Sequence, residues 1–501
     1  SLGQSIFHHG CSSLHDPVEA CRLGELAAEE LPQVWDKQDE ADAAGHRTFD
    51  ASPSAPADRP AELEICVPAS FGMDRDSAAF VRVAASDVPV WRQADVLVVG
   101  GGSSGGSAAI TAAREGMKTV LIDLNPGLGG TGTFGGVDSY WFGRRTGFAM
   151  QLADRVQALQ QAIRYKGHKW NIEAKQYAWL SEAEQAGVDM LLNAVTFGSV
   201  KRGNRVCGAV AATRWGACIV LASLVIDATG DGDIAAYAGA EFEYGSERDH
   251  AVMWYSLAQF KEPGRSKNNF TSAVDVSNVR DYTRAILAGR RRGDDCHDHG
   301  IYIAPRESRH VKGDVVMRLT DQLLHRRWPD VVNVHFSNHD VKGVSGAEWV
   351  NIGLIPPNLE IEVPYRMLLP QGLEGLLVIG KAVSATHDAL PAIRMQSDLE
   401  NLGAAAALAA ALAVRTERPL RKIDIKQLQE RLIRDGLIPE NVLTRRLQPI
   451  RYSEEALEKL VESIETEPLY TYADMRMNEI WTRPIPFVEI CSAGPGVIPV
   501  L

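Results

Sequence analysis

The segment Gly100-Gly-Gly-Ser-Ser-Gly105 has the spacing GxGxxG, which suits a backbone that must turn tightly around an anion. Gly100 permits the turn, Gly102 lets the main chain approach a pyrophosphate, and Gly105 lets the next helix pack closely on its strand. Ser103 and Ser104 open that helix, whose free N–H groups and dipole stabilise phosphate charge. Asp123 ends the following apolar run, where a carboxylate can accept hydrogen bonds from a ribose diol. Together these residues predict a dinucleotide site, and FAD and NAD both satisfy it.

Directly after Asp123 come Leu124 and then Asn125-Pro-Gly-Leu-Gly-Gly-Thr-Gly-Thr-Phe-Gly-Gly136. Six glycines in so short a span suit neither helix nor strand. They suit a backbone wrapped around a large flat ligand, and Val137, Tyr140, Trp141 and Phe142 follow as anchors. Histidines are the natural proton carriers among the remaining groups. His387 and His339, the latter in Phe336-Ser-Asn-His-Asp340, are the two candidates. Arg306, Arg309 and Arg366 have the planar fork that binds anions, although Arg309 reads better as a structural ion-pair partner.

These residues need elements to hold them. Val96-Leu-Val-Val99 is a continuous apolar run, the pattern of a parallel strand buried on both faces. A small-residue helix over 104–115 and a strand over 118–123 complete a βαβ start. Helices are predicted over about 149–165 and 171–186, and a strand meander over 189–226 ending in Leu224-Val-Ile-Asp-Ala-Thr-Gly230. Residues 251–364 are more polar and irregular. Leu376-Leu-Val-Ile-Gly380 reads as a strand returning to the first sheet, and 396–414 as a long Ala-rich helix. Residues 16–44 read as an acidic helix, 51–60 as a linker, and 63–68 as a short strand.

Composition narrows the function classes. A chain of 501 residues is too long for a single hydrophobic core. A net charge of -12 argues against general nucleic-acid binding, which needs a basic surface. Seven cysteines without a CxxC pair argue against a disulfide framework and dithiol chemistry and fit a reducing, cytoplasmic location, although the chain begins at Ser1 and a removed leader is compatible with that. His8, His9, Cys11, His15 and Cys21 match no structural zinc spacing, so no metal is expected. No stretch reaches the length of a membrane span; the longest apolar run, 403–414, reads as a buried helix.

The sequence resembles the FAD-dependent oxidoreductases of the glutathione-reductase-like Rossmann superfamily, distantly similar to fumarate reductase and succinate dehydrogenase flavoproteins. The motifs that carry the resemblance are the Gly100–Gly105 turn, Ile226-Asp-Ala-Thr-Gly-Asp-Gly-Asp233, Arg306-Glu-Ser-Arg309 with Gly313-Asp314, and Leu376–Ala389 with Ile393-Arg394. It runs discontinuously from about 94 to 414. It implies FAD as cofactor, held by Gly100, Gly102, Ser103, Ser104, Gly105, Asp123, Leu124, Asn125, Gly130, Thr131, Gly132, Val195, Thr229, Gly230, Gly380, Ser384 and Arg394. Many relatives carry an acidic residue after the glycine of the returning strand, where it binds the ribityl chain. Lys381 stands there instead, which shifts that contact to backbone groups or Ser384.

The resemblance further implies that Arg394 and the N-terminus of its helix stabilise negative charge on reduced flavin, with His387, or else His339, taking a proton. The expected fold is α/β: a discontinuous Rossmann-type FAD-binding domain over 93–250 and 365–414, with an inserted α+β substrate domain over 251–364. An N-terminal extension over 1–92 and a helical tail over 415–501 flank it. The expected activity is a dehydrogenase or oxidase accepting hydride from a small polar organic molecule. Alternatives are a flavin enzyme without net redox change, such as an isomerase or hydratase, or a nucleotide-binding subunit with a vestigial flavin site. Absence of a second GxGxxG argues against a pyridine-nucleotide reductase. Protein partners are left as two alternatives, a homo-oligomer or a separate electron-acceptor protein.

Overall fold

Val96 and Val98 point into one hydrophobic core and Leu97 and Val99 into another, and all four are buried. That two-sided burial is what the uninterrupted apolar run demands, because successive strand residues face opposite sides of the sheet. The computed structural model describes residues 63–67, 88–248, 250–262, 264–276, 278–293, 295–298, 303–342, 358–447, 452–464, 480–482, 484, 486–493 and 497–498. The expected helix over 16–44, the linker over 51–60 and the histidine–cysteine group near Cys11 and Cys21 lie outside these residues.

Along the chain, β1 (Glu64–Cys66) precedes β2 (Val90–Val99), α1 (Ser103–Arg114) and β3 (Thr119–Ile122). Helices α2 (Gly147–Ala162) and α3 (Ile172–Ala186) follow, and the Asn171 side chain caps α3 by accepting from Ala174 N at 2.7 Å. Then come β4 (Asp189–Leu191), β5 (Val195–Arg202), β6 (Arg205–Thr213) and β7 (Gly216–Asp227). These strands form one sheet in the order β1-β5-β6-β7-β2-β3-β4. Strands β7, β2, β3 and β4 run parallel, while β5, β6 and β1 form the antiparallel meander. The short α4 (Asp233–Tyr237) leads to β8 (Phe242–Tyr244).

The polar stretch that follows is built of two packing units. Strands β9 (Leu257–Glu262), β10 (Arg265–Asn269) and β11 (His297–Asp298) form a small sheet, on which α5 (Val279–Arg292) packs through Tyr255, Leu257, Ala285 and Ile303. After β12 (Arg309–Val311) and α6 (Leu319–Leu323), the antiparallel pair β13 (Val331–Ser337) and β14 (Leu359–Pro364) joins the main core instead.

The chain then returns as β15 (Leu376–Val378), parallel to β7 at Val225–Asp227. It continues into α7 (Gln396–Thr416) and α8 (Ile425–Arg434), and the tail adds α9 (Glu454–Glu462) and α10 (Pro486–Ser492). Gly403 of α7 crosses α1 so closely that a Cβ there would stand 1.9 Å from Ser104 O. This contact explains the Ala-rich composition of α7: larger side chains would push the two helices apart. By length and composition α7 is a candidate membrane span, which the sequence reading did not expect because it measured only the apolar run 403–414 and not the whole helix. Most of it is buried against the protein's own core.

Candidate functional site

Three glycine-containing turns meet at the C-terminal ends of β2, β7 and β15. The first is Gly100–Ser104. Gly100 has φ of +97°, and a Cβ there would meet Ala228 O at 2.3 Å. Gly105 lies inside α1, where a Cβ would stand 1.7 Å from Gly100 O, so this residue serves packing. Gly102 differs: a Cβ there meets nothing within 4 Å. Its open side faces a cavity of about 570 Å³.

The second turn, after β7, is organised by Asp227. Its carboxylate accepts from Thr229 N, Thr229 Oγ1 and Ala235 N at 3.2, 2.7 and 2.9 Å. Burial pushes the Asp227 carboxyl up to about 6 despite these bonds. The third turn places Gly380, φ +81°, within ordinary contact of Gly230 and beside Ser104. The adjacent Lys381 donates to Gly230 O at 2.7 Å and Ser308 Oγ at 3.2 Å and is ion-paired with Asp231.

Asp123 accepts from Gly101 N, and from Asn125 N at 2.6 Å. Burial raises its pKa, with the two N–H bonds acting against that rise. The glycine run is tied back to the first turn by Gly129 N donating to Gly101 O at 2.8 Å. Behind the run sits a buried cluster of which only Tyr140 carries a sequence signal. Lys175 pairs with Glu400 at 3.1 Å, Tyr140 OH donates to Glu400 at 2.7 Å, and the Lys175 ammonium lies 3.8 Å from the Trp170 ring centroid. Trp170 Nε1 in turn donates to Gly132 O at 2.9 Å.

Of the residues singled out from sequence, Gly100, Gly102, Ser103, Ser104, Asp123, Asn125, Gly130, Thr131, Thr229, Gly230, Gly380 and Arg394 line this one cavity. Gly105, Leu124, Gly132, Val195, Ser384, His339 and His387 do not line it. Leu124 and Val195 are exposed, and the Ser384 hydroxyl accepts from Gly313 N at 2.8 Å. Arg309 pairs with Asp233 at 2.8 Å, and Arg366 with Asp330 at 2.9 Å. Arg306, by contrast, lines the cavity and donates to the carbonyls of Trp254 and Tyr255 at 2.8 and 2.7 Å.

His387 is buried, and its Nδ1 lies 2.7 Å from Glu307 Oε1, the oxygen that His310 Nε2 also approaches at 2.7 Å. Burial alone would raise the Glu307 carboxyl, but the two imidazoles hold it below its ordinary range. His339 has φ of +58° and burial lowers its pKa to about 4. Sequence reasoning missed Asp138, Lys169, Ser256, Ser266, Asn268, Phe270, Asp340, Lys342 and Gln396, which complete the wall. Ser266 and Asn268 are two apart on β10 and therefore share a face, but a polar run such as Arg265-Ser-Lys-Asn-Asn269 reads as surface.

The cavity suits a large, partly polar cofactor. The open side of Gly102 leaves room for a phosphate at the start of α1. Arg394 Nε and Gln396 Oε1 are buried with no hydrogen-bond partner among the described residues, and both side chains line the cavity next to the N-terminus of α7. Such groups are costly unless a ligand satisfies them.

The family comparison accords with a cofactor of this kind. The sequence profile described as FAD dependent oxidoreductase matches residues 95–299 and 292–432, well over half of the chain. No match is found among curated proteins. Among solved structures, a geranylgeranyl bacteriochlorophyll reductase-like protein from Thermoplasma acidophilum is 15% identical with a TM-score of 0.35, covering 81% of this chain and 98% of its own. A 3-ketosteroid-delta4-(5alpha)-dehydrogenase from Rhodococcus jostii is 13% identical with a TM-score of 0.33, covering 66% and 99%. A myxobacterial chondrochloren halogenase is 14% identical with a TM-score of 0.35, covering 68% and 79%.

Proposed function

Since the chain belongs to the FAD dependent oxidoreductase family, we propose that it is a dehydrogenase or oxidase that removes a hydride from a small polar organic molecule. In this reading it is a distant relative of the glutathione-reductase-like and fumarate reductase flavoproteins. The observation that carries the proposal is the convergence of the turns at Gly100, Gly230 and Gly380 on one cavity whose far wall is polar and charged.

FAD, when bound, supplies the two-electron acceptor. Backbone groups of Gly102–Ser104 and Thr229–Gly230 hold the diphosphate, and Asp123 takes the adenosine ribose. Arg394 and the N-terminus of α7 bring positive charge to the opposite part of the cavity. The buried Glu307–His387 pair lies outside the cavity lining, so it would receive the proton that leaves with the hydride through an intervening group. Glu307 Oε1, 2.7 Å from Nδ1, holds the His387 imidazole in place. The segment 251–364 supplies the substrate-facing wall through Ser256, Ser266, Asn268, Phe270, Arg306 and Lys342.

The purified protein is expected to be yellow, with FAD at about one per chain, as one fingerprint implies. Anaerobic substrate screening then reads loss of the visible flavin band. Bleaching by a small polar substrate supports net oxidation. Turnover of a substrate with no bleaching supports isomerisation or hydration instead.

A further inference from the structure

The geometry points to Asp138 as the base that takes the proton when the substrate gives up its hydride, an inference that rests on reading the cavity as an FAD-loaded redox site. Neither Glu307 nor His387 lines that cavity, whereas Asp138 does. Asp138 stands just past the glycine run, next to Val137, whose carbonyl accepts from Gln396 Nε2 at 3.2 Å. It therefore lies beside the N-terminus of α7, at the end of the cavity that also holds Arg394. Its backbone is fixed by Trp170 N, which donates to Asp138 O at 3.2 Å.

The two carboxylate oxygens are used unequally. Oδ1 accepts from Lys169 Nζ at 3.0 Å and from Ser266 Oγ at 2.5 Å. Lys169 Nζ also donates to Ser266 Oγ at 2.9 Å, so the three side chains close a ring of hydrogen bonds. Oδ2 has no partner among the described residues, yet it is not sealed inside the protein. The side chain is 4% exposed, and that opening is onto the cavity. A carboxylate pinned through one oxygen presents the other in a fixed direction, which is what a proton acceptor needs.

The next polar group along the wall supplies a second anchor. Ser266 and Asn268 lie two apart on β10, on one face and about 7 Å from each other. Asn268 Nδ2 donates to Ser256 Oγ at 3.3 Å, and Asn268 Oδ1 is buried without a partner among the described residues. The pair thus offers an acceptor on Oδ1 and a donor in the Ser256 hydroxyl; turning the amide over exchanges these roles and keeps one of each. A compact substrate with two polar groups reaches both Asp138 and this pair. At the Asp138 end, a substrate O–H or N–H bond and the adjacent C–H bond break, and a C=O or C=N bond forms. The hydrogen and electron pair of the C–H bond pass to FAD, so the substrate is oxidised and FAD reduced. The proton of the heteroatom forms a carboxyl O–H on Asp138, which gives it up to water as the product leaves.

The test mixes FAD-loaded wild type, Asp138→Asn, Asp138→Glu and Asn268→Leu anaerobically with glycerol, ethanolamine, lactate and alanine in turn. Bound FAD, the limiting rate of bleaching and the concentration that gives half of that rate are read separately. With a probe that bleaches the wild type, Asp138→Asn should lower the limiting rate by about 10²–10⁴-fold. Its FAD content and half-saturating concentration should stay near wild type. Asp138→Glu, which keeps a carboxylate, should recover part of the rate. Asn268→Leu should instead raise the half-saturating concentration by about tenfold, as loss of a binding contact does. A purely bracing Asp138 predicts another pattern: FAD content or half-saturation worsens in step with the rate, and the glutamate variant recovers nothing. That pattern, a wild-type limiting rate in Asp138→Asn, or bleaching of the wild type by none of the four probes overturns the inference. A wild-type chain that takes up no FAD refutes the underlying reading of the site instead.

Discussion

A histidine can act as a base near neutral pH only if it is unprotonated there yet still basic enough to gain a proton. His339 fails the second condition: burial drops it to about 4, with only partial compensation from the nearby Asp388 carboxylate. His387 is placed differently, with Glu307 Oε1 2.7 Å from its Nδ1. His387→Ala is therefore expected to slow flavin bleaching by about 10²–10⁴-fold while FAD stays bound. Glu307→Gln should move the pH profile of the same step, since it removes the carboxylate that the His310 and His387 rings hold below its ordinary range. The measurement is anaerobic stopped-flow reduction of each variant across pH. A His387→Ala rate equal to wild type at every pH would make His387 structural.

At the scale of elements, the first turn separates fold from cofactor binding. Gly105→Ala forces a methyl onto Gly100 O, so the variant should lose stability and yield of folded protein. Gly102→Ala has ordinary negative φ and an open neighbourhood, so the FAD-free protein should unfold at the same urea concentration as wild type. Its methyl nevertheless projects where the backbone should meet the diphosphate, and FAD affinity should fall at least tenfold. Equal FAD affinity in a titration of the two proteins would remove Gly102 from the site. The Lys175–Glu400 pair makes a different point. Both side chains are fully buried, and removing one charge strands the other, so Glu400→Gln should cost about 3–5 kcal/mol in urea unfolding. A change within error would mean that Lys175 sheds its proton at little cost.

These two elements also show what the sequence can and cannot reveal. The glycine turn was legible because a short stretch of chain carries its whole signal: apolar strand, glycine spacing, small-residue helix. The same holds for β15 and its return beside β7. Lys175 and Glu400 come from α3 and α7 and meet only through packing, as do Lys342 and Phe270. Nothing local marks such residues, since in isolation each charge looks like a solvated one. His387 shows the converse. Its motif context was visible, but its burial beside Glu307 and His310, away from the cavity lining, depends on contacts from segments far apart in the chain.

For the molecule as a whole, buried titratable groups pull stability in opposite directions with pH. His335 and His339 are lowered by burial from 6.5 to about 3 and about 4. Between these values and 6.5 the unfolded chain holds protons that the folded chain does not, so these residues weaken the fold as pH falls from 6.5 towards 4. Asp227 and Asp398 are raised by burial from 3.8 to about 6 and about 7, against the N–H bonds that Asp398 accepts from Arg144 and Phe336. Across that range the folded chain holds the extra protons, so these residues favour the fold as pH falls and weaken it as pH rises. The opposed contributions overlap between about pH 4 and pH 6.5 and flatten the wild-type profile. Substitution should expose each in turn. With both His335 and His339 changed to Gln, stability relative to wild type should grow on going from pH 7 to pH 4. With Asp398→Asn it should shrink over the same interval. Exposed carboxylates titrate alike in all these proteins and cancel from the differences. Urea midpoints at four pH values, with unchanged dependence on denaturant, provide the measurement. Parallel profiles for all three proteins would mean that these side chains are solvated or paired in solution and do not carry the pH dependence.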